Sequence, residues 1–419
     1  MTTPDNAIQI LQTTYPTAGL PALRDARFTL AAGDAHLDVT ITDGDVAFVP
    51  PSDEGAFTFT VTPADWARFT SEPPPRGYTT AQAMRATIGW EAVTGDRTAW
   101  AVNSPLIDGI LDVLRQAQTP RPPRNADPAP TPGRSPIEGS YLTIPVQDQL
   151  QRIYVESSGT GQQTILCLHT AGADSRQFRY LLEDEELTRR YRFVAFDMPW
   201  HGRSDPPSDW AEQTYQLTTE TYAATILAVM DALDMERPIL MGCSMGGAIA
   251  IYLSATHGDR FSAALALEGG LGNPGRFVPW TNHLSVDHSH FLTSWVGGLI
   301  APSSPQASRA QTLWGYAQSG PGVYQGDTYF YSNDLPGLAD DLGTATCPLW
   351  IFNGEYDYSA TTEMSREAAE RIGGTLVEMP GFGHFPMSED PAVFRSYLVP
   401  VLDELEAAVS ATPSSEELA

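Results

Sequence analysis

The stretch "RPILMGCSMGG" (237–247) places a serine between two glycines directly after an apolar run. A G-x-S-x-G pattern gains meaning when a strand precedes it and a helix follows, because the serine then stands in a tight turn at the carboxyl end of a sheet. Here "RPILMG" is typical of a buried strand, and "MGGAIAIYLSATHG" (245–258) is typical of a helix. We therefore predict that Ser244 is a nucleophile, and that Gly242 and Gly246 leave room for the turn.

Further apolar runs alternate with helix-period segments around this turn. Near-continuous apolar runs of this length are typical of parallel strands that are buried on both faces. The runs are "TILCLH" (164–169), "YRFVAFD" (191–197), "FSAALALE" (261–268) and "PLWIFNG" (348–354). The runs "YLTIPV" and "LQRIYVES" before them predict an antiparallel hairpin. The whole pattern predicts a doubly wound α/β sheet.

The composition excludes several classes of protein. A formal net charge of −27 argues against binding to nucleic acid or to anionic membranes. All 24 basic residues are arginine, which excludes Schiff-base enzymes and P-loop phosphate binders. Cys167, Cys243 and Cys347 fit neither a zinc site nor a disulfide framework. With no apolar run of membrane-spanning length and no signal-peptide pattern, we expect a cytoplasmic location.

A base and an acid are expected downstream of the serine, each just beyond a strand. "GFGHFPMSEDP" offers His384, and "NGEYDYS" offers Asp357. The order Ser, Asp, His predicts that His384 takes the proton of Ser244 while Asp357 orients the imidazole. Glu355, two residues before Asp357, and Glu268, at the end of the preceding strand, are the alternatives for the acid.

The pieces "LHTAGADSR", "AFDMPWHGRSDPP", "MGCSMGG", "NGEYD" and "GFGHFP" together resemble the α/β-hydrolase superfamily. The resemblance implies a cofactor-free serine hydrolase that opens a carboxylic ester or lactone through an acyl-enzyme. It also implies an oxyanion hole formed by the backbone N–H groups of Ala171 and Met245. One departure is Thr170, because the family usually has glycine after this histidine. A C–C bond hydrolase, an acyltransferase and a non-catalytic carrier of hydrophobic ligands are the alternatives.

Composition shifts divide the chain into an amino-terminal domain, a linker, a hydrolase domain with an inserted cap, and a disordered tail. The high proline content of the linker predicts a stiff, extended connection. The boundaries are 1–118 for the first domain, 119–136 for the linker, 137–410 for the second domain, 271–345 for the cap and 411–419 for the tail.

The sequence of the amino-terminal domain predicts an α+β fold. "HLDVTITDGDVAFV" (36–49) alternates around "DG" and predicts a hairpin. In "SPLIDGILDVLRQ" (104–116), Ser104 resembles a helix cap with Pro105 in the first turn. The element order loosely resembles a sterol-carrier-protein-like domain, and a scaffold or homodimerisation module is the alternative.

Aromatic residues are concentrated in the predicted cap. We expect some of them to line a pocket for a bulky, uncharged and apolar ester or lactone, aromatic or macrocyclic. The candidates are Trp280, Trp295, Trp314, Tyr329 and Tyr331. Histidines cluster in "NHLSVDHSH", but no second ligand cluster accompanies them, so no metal site is expected.

Overall fold

The computed structural model describes residues 4–15, 25–32, 35–52, 54–121, 123–129, 133–147 and 149–411. The chain divides into two compact units, Met1–Asn125 with Pro279–Ser303, and Ala126–Val278 with Ser304–Ala419. Positions 412–419 of the predicted tail, and 122 and 130–132 of the predicted linker, lie outside the described residues. None of the helices in these ranges is both long enough and apolar enough to cross a bilayer.

The first unit is an α+β domain on a mixed five-stranded sheet. Its strands are β1 (Ala26–Ala32), β2 (Ala35–Thr42), β3 (Asp45–Val49), β4 (Phe57–Val61) and β5 (Val93–Gly95). Its helices before the linker are α1 (Pro4–Thr14), α2 (Pro63–Phe69), α3 (Ala81–Ile88) and α4 (Arg97–Gln116). The strand order is β3-β2-β1-β4-β5, with β1 and β4 parallel. The sterol-carrier resemblance and the dimerisation role stay predictions.

The hairpin predicted in this unit is confirmed. Strands β2 and β3 are antiparallel, and Thr42 pairs with Asp45 across a two-residue turn. Asp43 and Gly44 occupy that turn with φ of 54° and 84°. Positive φ at both central residues is the geometry that favours Asp-Gly in a tight hairpin.

The predicted helix start at Ser104 is wrong. Helix α4 begins at Arg97, capped by the side chain of Asp96, and Pro105 lies inside it. Proline has no N–H for the carbonyl of Ala101 four residues earlier, but the Ser104 hydroxyl donates to that carbonyl at 3.1 Å. The serine therefore satisfies the group that the proline leaves open.

The second unit is built on an eight-stranded sheet. Its strands are β6 (Glu138–Val146), β7 (Gln149–Ser158), β8 (Gln163–Leu168), β9 (Tyr191–Phe196), β10 (Ile239–Cys243), β11 (Ala263–Leu267), β12 (Leu349–Gly354) and β13 (Thr375–Met379). The order is β13-β12-β11-β10-β8-β9-β7-β6, parallel from β13 to β9. Strands β6 and β7 form the antiparallel hairpin expected from the sequence. Each predicted apolar run is a buried strand of this sheet.

The remaining helices follow in chain order. They are α5 (Arg179–Leu182), α6 (Glu185–Arg190), α7 (Thr219–Ala232), α8 (Met245–Thr256), α9 (His288–Gly297), α10 (Gln306–Ala317), α11 (Val323–Tyr329), α12 (Leu335–Ala339), α13 (Thr362–Ile372), α14 (Pro386–Glu389) and α15 (Pro391–Ala411). All but α9 belong to the second unit. We call α10, α11 and α12 the cap helices; a π-helical turn, Phe330–Asp334, joins the last two.

The structure differs from the predicted cap boundaries, because residues 279–303 pack with the first unit. The ring of Trp280 lies 5.3 Å from that of Trp90, and the Arg85 guanidinium lies 5.4 Å from the ring of Trp295. The Thr79 hydroxyl donates to the carbonyl of Gly298 at 2.6 Å. The segment is held there by burial of its aromatic side chains, which sequence position alone does not reveal.

Candidate active site

Ser244 lies in the sharp turn between β10 and α8. Its φ of 56° and ψ of −111° are sparsely populated for a residue with a side chain. A Cβ on Gly242 would lie 2.1 Å from the carbonyl oxygen of Gly246, and one on Gly246 would lie 2.4 Å from that of Leu168. The two glycines are therefore required for close backbone approach, as the sequence predicted.

The imidazole of His384 is fixed by a buried carboxylate. Its Nδ1 lies 2.6 Å from Oδ2 of Asp357, which is fully buried. The other oxygen of Asp357 accepts backbone N–H bonds from Ser359 at 2.7 Å and Ala360 at 3.1 Å. Since a carboxylate only accepts, Nδ1 carries the proton and Nε2 keeps its lone pair for another proton.

Ser244 and His384 line one small cavity. Its volume is about 20 Å³, which is room for a single water molecule. The other lining residues are Ala248, Glu268, Gly270, Gly272, Asn273, Tyr331, Ser359, Ala360 and Met364. The predicted nucleophile and base therefore open onto a common space.

Glu268, one of the alternatives for the acid, lies beside Asp357 and binds backbone instead of the histidine. Its carboxyl oxygens accept the N–H of Gly354 at 2.8 and 2.9 Å and the side-chain amide of Asn353 at 3.1 Å. Burial, and next the negative charge of Asp357, raise the pKa of Glu268 well above its usual range. Glu268 therefore holds a proton more tightly than an ordinary glutamate does, and its hydrogen bonds go to Gly354 and Asn353 and not to His384.

Glu355 bonds to backbone instead of to the histidine. Its side chain is exposed and accepts the N–H of Gly381 at 2.9 Å.

Among the described residues, one group could hold a metal ion: ligand atoms of Glu268, Asp357 and His384 lie within 4.8 Å of one another. Because the His384 Nδ1–H already bonds to Asp357, this arrangement suits proton transfer.

The loop after β8 carries the predicted oxyanion donor Ala171. The N–H before it, on Thr170, donates to the side-chain oxygen of Gln177 at 3.0 Å, and the N–H after it, on Gly172, donates to Asp327 at 2.7 Å. Within the described ranges, the N–H of Ala171 has no acceptor. The N–H of Met245 has none either, since the first amides of a helix lack intrahelical partners.

These features agree with a match to a family model. The model, described as the alpha/beta hydrolase family, matches residues 165–396, which is more than half of the chain. The chain belongs to the alpha/beta hydrolase family. The match runs from β8 to α15 and includes the elbow serine, the buried carboxylate and the histidine.

The chain is similar to a curated enzyme over part of its length. The chain is 27% identical over 141 residues to a 2-hydroxy-6-oxononadienedioate/2-hydroxy-6-oxononatrienedioate hydrolase from Cupriavidus pinatubonensis. That match covers 33% of this chain and 47% of the relative, so the chain spans about half the length of the curated relatives it matches.

Solved structures of the same fold include two enzymes of ester chemistry. An esterase from Thermogutta terrifontis has a TM-score of 0.53 at 17% identity, covering 64% of this chain and 99% of that chain. An enol-lactonase from Burkholderia xenovorans LB400 has a TM-score of 0.50 at 19% identity, covering 65% of this chain and 98% of that chain. At these identities the similarity establishes the α/β-hydrolase fold alone.

Of the five predicted substrate-binding aromatics, Tyr331 lines the cavity at Ser244. Trp280 and Trp295 pack on each other at 5.3 Å within the first unit. Trp314 is 60% exposed on α10, and Tyr329 packs on Phe277 at 5.8 Å. The other four do not line this cavity, and their role in substrate binding stays a prediction.

Two buried residues beside the loop after β8, Asp327 and His201, were not predicted as functional residues from the sequence. Asp327 is fully buried on α11, and its Oδ2 lies 2.7 Å from Nε2 of His201. A carboxylate inside the aromatic run "VYQGDTYFY" was the available signal, because buried charges need dedicated partners.

Proposed function

We propose that this hydrolase cleaves a carboxylic ester or lactone of a hydrophobic substrate through an acyl-enzyme, without a cofactor. The observation that carries the proposal is the shared cavity: a serine in a strained turn faces the same space as a histidine whose Nδ1 is held by a buried carboxylate. This is the arrangement that activates a serine hydroxyl.

In the proposed reaction, Ser244 Oγ attacks the carbonyl carbon while His384 Nε2 takes its proton. The N–H groups of Ala171 and Met245 bind the oxyanion of the tetrahedral intermediate. Collapse breaks the ester C–O bond, and the leaving alcohol oxygen receives the proton from His384. A water then attacks the acyl-enzyme by the same route, which releases the acid and restores the serine. Asp357 stabilises the imidazolium at each stage.

The proposed substrate class rests on the walls of the cavity. Tyr331, Met364, Ala248 and Ala360 supply apolar surface around the serine. Tyr331 lies in the π-helical turn between two cap helices, a local geometry frequent at functional sites.

A C–C bond hydrolase is the second candidate, favoured by the names of the curated relatives. Both reactions use the same serine and histidine, so the geometry alone does not separate them. Parallel assays with p-nitrophenyl butyrate and with 2-hydroxy-6-oxononadienedioate separate them by the bond that is broken.

The proposal is tested by labelling with a fluorophosphonate. We expect the label on the Ser244 peptide, and we expect Ser244→Ala to abolish both labelling and turnover of p-nitrophenyl butyrate while the protein stays folded. Ser254→Ala is the matched control, since that buried hydroxyl donates to the Ile251 carbonyl within α8. An unlabelled wild-type protein, or more than a few per cent of activity in Ser244→Ala, contradicts the proposal.

A further inference from the structure

The oxyanion loop, residues 169–173, is tied to the cap helices at two points. The Thr170 hydroxyl lies 2.5 Å from the hydroxyl of Tyr316 on α10. The Gly172 N–H donates to Oδ2 of Asp327 on α11 at 2.7 Å. A Cβ on Gly172 would lie 2.7 Å from the ring of Tyr324, so α11 packs directly on the loop.

Asp327 collects three donors inside the second unit. Its Oδ2 accepts from Gly172 and also faces Nε2 of His201 at 2.7 Å, while its Oδ1 accepts the Tyr215 hydroxyl at 2.9 Å. The side chains of Asp327 and His201 are 0% and 1% exposed. Bulk water therefore cannot replace these partners, and each lost bond leaves a buried group unsatisfied.

The partners of His201 define its protonation state. Its Nδ1 faces the carbonyl oxygen of Pro199 at 2.9 Å, and its Nε2 faces the carboxylate of Asp327. Both of these oxygens only accept, so both ring nitrogens must donate and the ring is an imidazolium. Burial lowers the pKa of His201, but the charge and hydrogen bond of Asp327 outweigh burial and raise it.

The other groups around His201 are consistent with this state. The ring of His169 lies 4.8 Å away; its Nδ1 donates to the Thr170 carbonyl and its Nε2 accepts the Met198 N–H, so it is neutral. Burial, and next the charge of His201, lower the pKa of His169. The nearby Asp197 carboxylate favours the imidazolium, although Arg203 also pairs with that carboxylate.

We propose that Asp327 is a positioning residue for catalysis: with protonated His201 it holds Gly172, and thereby the Ala171 N–H, in the geometry that binds the oxyanion. This inference rests on the proposed function. The same oxygen of Asp327 receives both the imidazolium and the Gly172 N–H. If the Asp327 carboxylate is displaced, the Gly172 amide moves with it. This amide is adjacent in the chain to Ala171, whose N–H is the proposed oxyanion donor.

Loss of the His201 proton weakens this arrangement. Neutral imidazole has one N–H. If that N–H stays on Nε2, the bond to Pro199 and the charge attraction to Asp327 are lost; if it lies on Nδ1, the Nε2 lone pair opposes Oδ2 of Asp327 at close range. We therefore expect kcat to fall on the alkaline side, at a pH above the ordinary histidine pKa of about 6.5.

The experiment compares Asp327→Asn with a matched control, Asp334→Asn. Asp334 also joins the cap region to the core, accepting the N–H and hydroxyl of Thr219 at 2.7 and 2.6 Å, but does not contact the oxyanion loop. With p-nitrophenyl butyrate, we expect Asp327→Asn to lower kcat about 10- to 100-fold and to leave KM within about twofold, because misplacing one donor costs no more than removing it. Asp334→Asn should keep kcat within about threefold.

Two further readouts keep the test decisive. The protection factor of the Gly172 amide, which is its deuterium-exchange rate relative to that of an unprotected amide at the same pH, should fall in wild type on the alkaline side and be low at all pH values in Asp327→Asn, whatever the substrate. If Asp327→Asn does not fold, Tyr215→Phe removes one hydrogen-bond donor to Asp327, leaves no buried charge without a partner, and should lower kcat a few-fold.

Unchanged kcat, an effect on KM alone, or an equal loss of kcat in Asp334→Asn overturns the positioning role. Absence of turnover and labelling in wild type, with the exchange pattern intact, overturns the proposed function instead.

Discussion

Replacing Asp357 by asparagine should invert the hydrogen bond that orients His384. In the wild-type protein one carboxylate oxygen accepts two backbone N–H groups, from Ser359 and Ala360, and the other faces the histidine. The two amides hold the asparagine carbonyl on their side, which leaves its NH₂ facing Nδ1. Nδ1 must then accept, so the ring proton moves to Nε2 and the histidine can no longer take the proton of Ser244.

The size of the expected fall in kcat follows from the loss of His384 as the general base. With the wrong tautomer, we expect kcat to fall about 10⁴-fold. This corresponds to about 5 kcal/mol of transition-state free energy. The assay is single-turnover acylation by p-nitrophenyl butyrate, with circular dichroism as the check on folding. A fall of less than about tenfold would refute the assignment of Asp357.

Glu268 gives this prediction an internal control. The charge of Asp357 is one cause of the raised pKa of Glu268, so its removal makes Glu268 easier to ionise. We expect Asp357→Asn to regain some activity as the pH rises, and the double variant with Glu268→Gln to lose that recovery. A recovery that survives in the double variant would show that Glu268 is not its source.

Two predictions concern stability and substrate choice. The folded state raises the pKa of Glu268 above its ordinary value, so the native state binds this proton more tightly than the unfolded state, and wild-type stability should fall as pH rises from about 4.5. The Tm of Glu268→Gln should decline less over the same pH range. Parallel curves of Tm against pH for the two proteins would contradict this prediction. Hydrophobic aryl esters and lactones should exceed acetyl and charged esters in kcat/KM, and a clear preference for the small or anionic esters would remove the proposed substrate class while leaving the serine mechanism in place.

The central sheet and its elbow could be predicted because their signals are local. Parallel strands buried on both faces must be apolar along their length, and the turn at Ser244 needs glycine two residues to either side. The His384–Asp357 pair was predictable for a related reason, since both residues lie a few residues beyond parallel strands that end at one edge of the sheet.

The remaining features depend on contacts between distant parts of the chain. His201 and Asp327 are 126 residues apart, and no spacing rule joins a loop after a strand to a cap helix. Ser104 was misjudged because serine before proline usually starts a helix, whereas here it satisfies a carbonyl inside one. The packing of Trp280 on Trp295 was not predictable because an aromatic residue looks the same in sequence whether it packs or binds.

The membership of residues 279–303 in the first unit has a consequence for biosynthesis. Trp280 and Trp295 of this segment complete the packing around Trp90 and Arg85, yet the ribosome makes them long after residue 125. At translation rates of about 5–20 residues per second, that interval is on the order of 10–40 s. During it the amino-terminal sheet is present without the segment that covers these side chains. The first unit, although it begins the chain, therefore cannot finish folding until much of the hydrolase sheet has emerged.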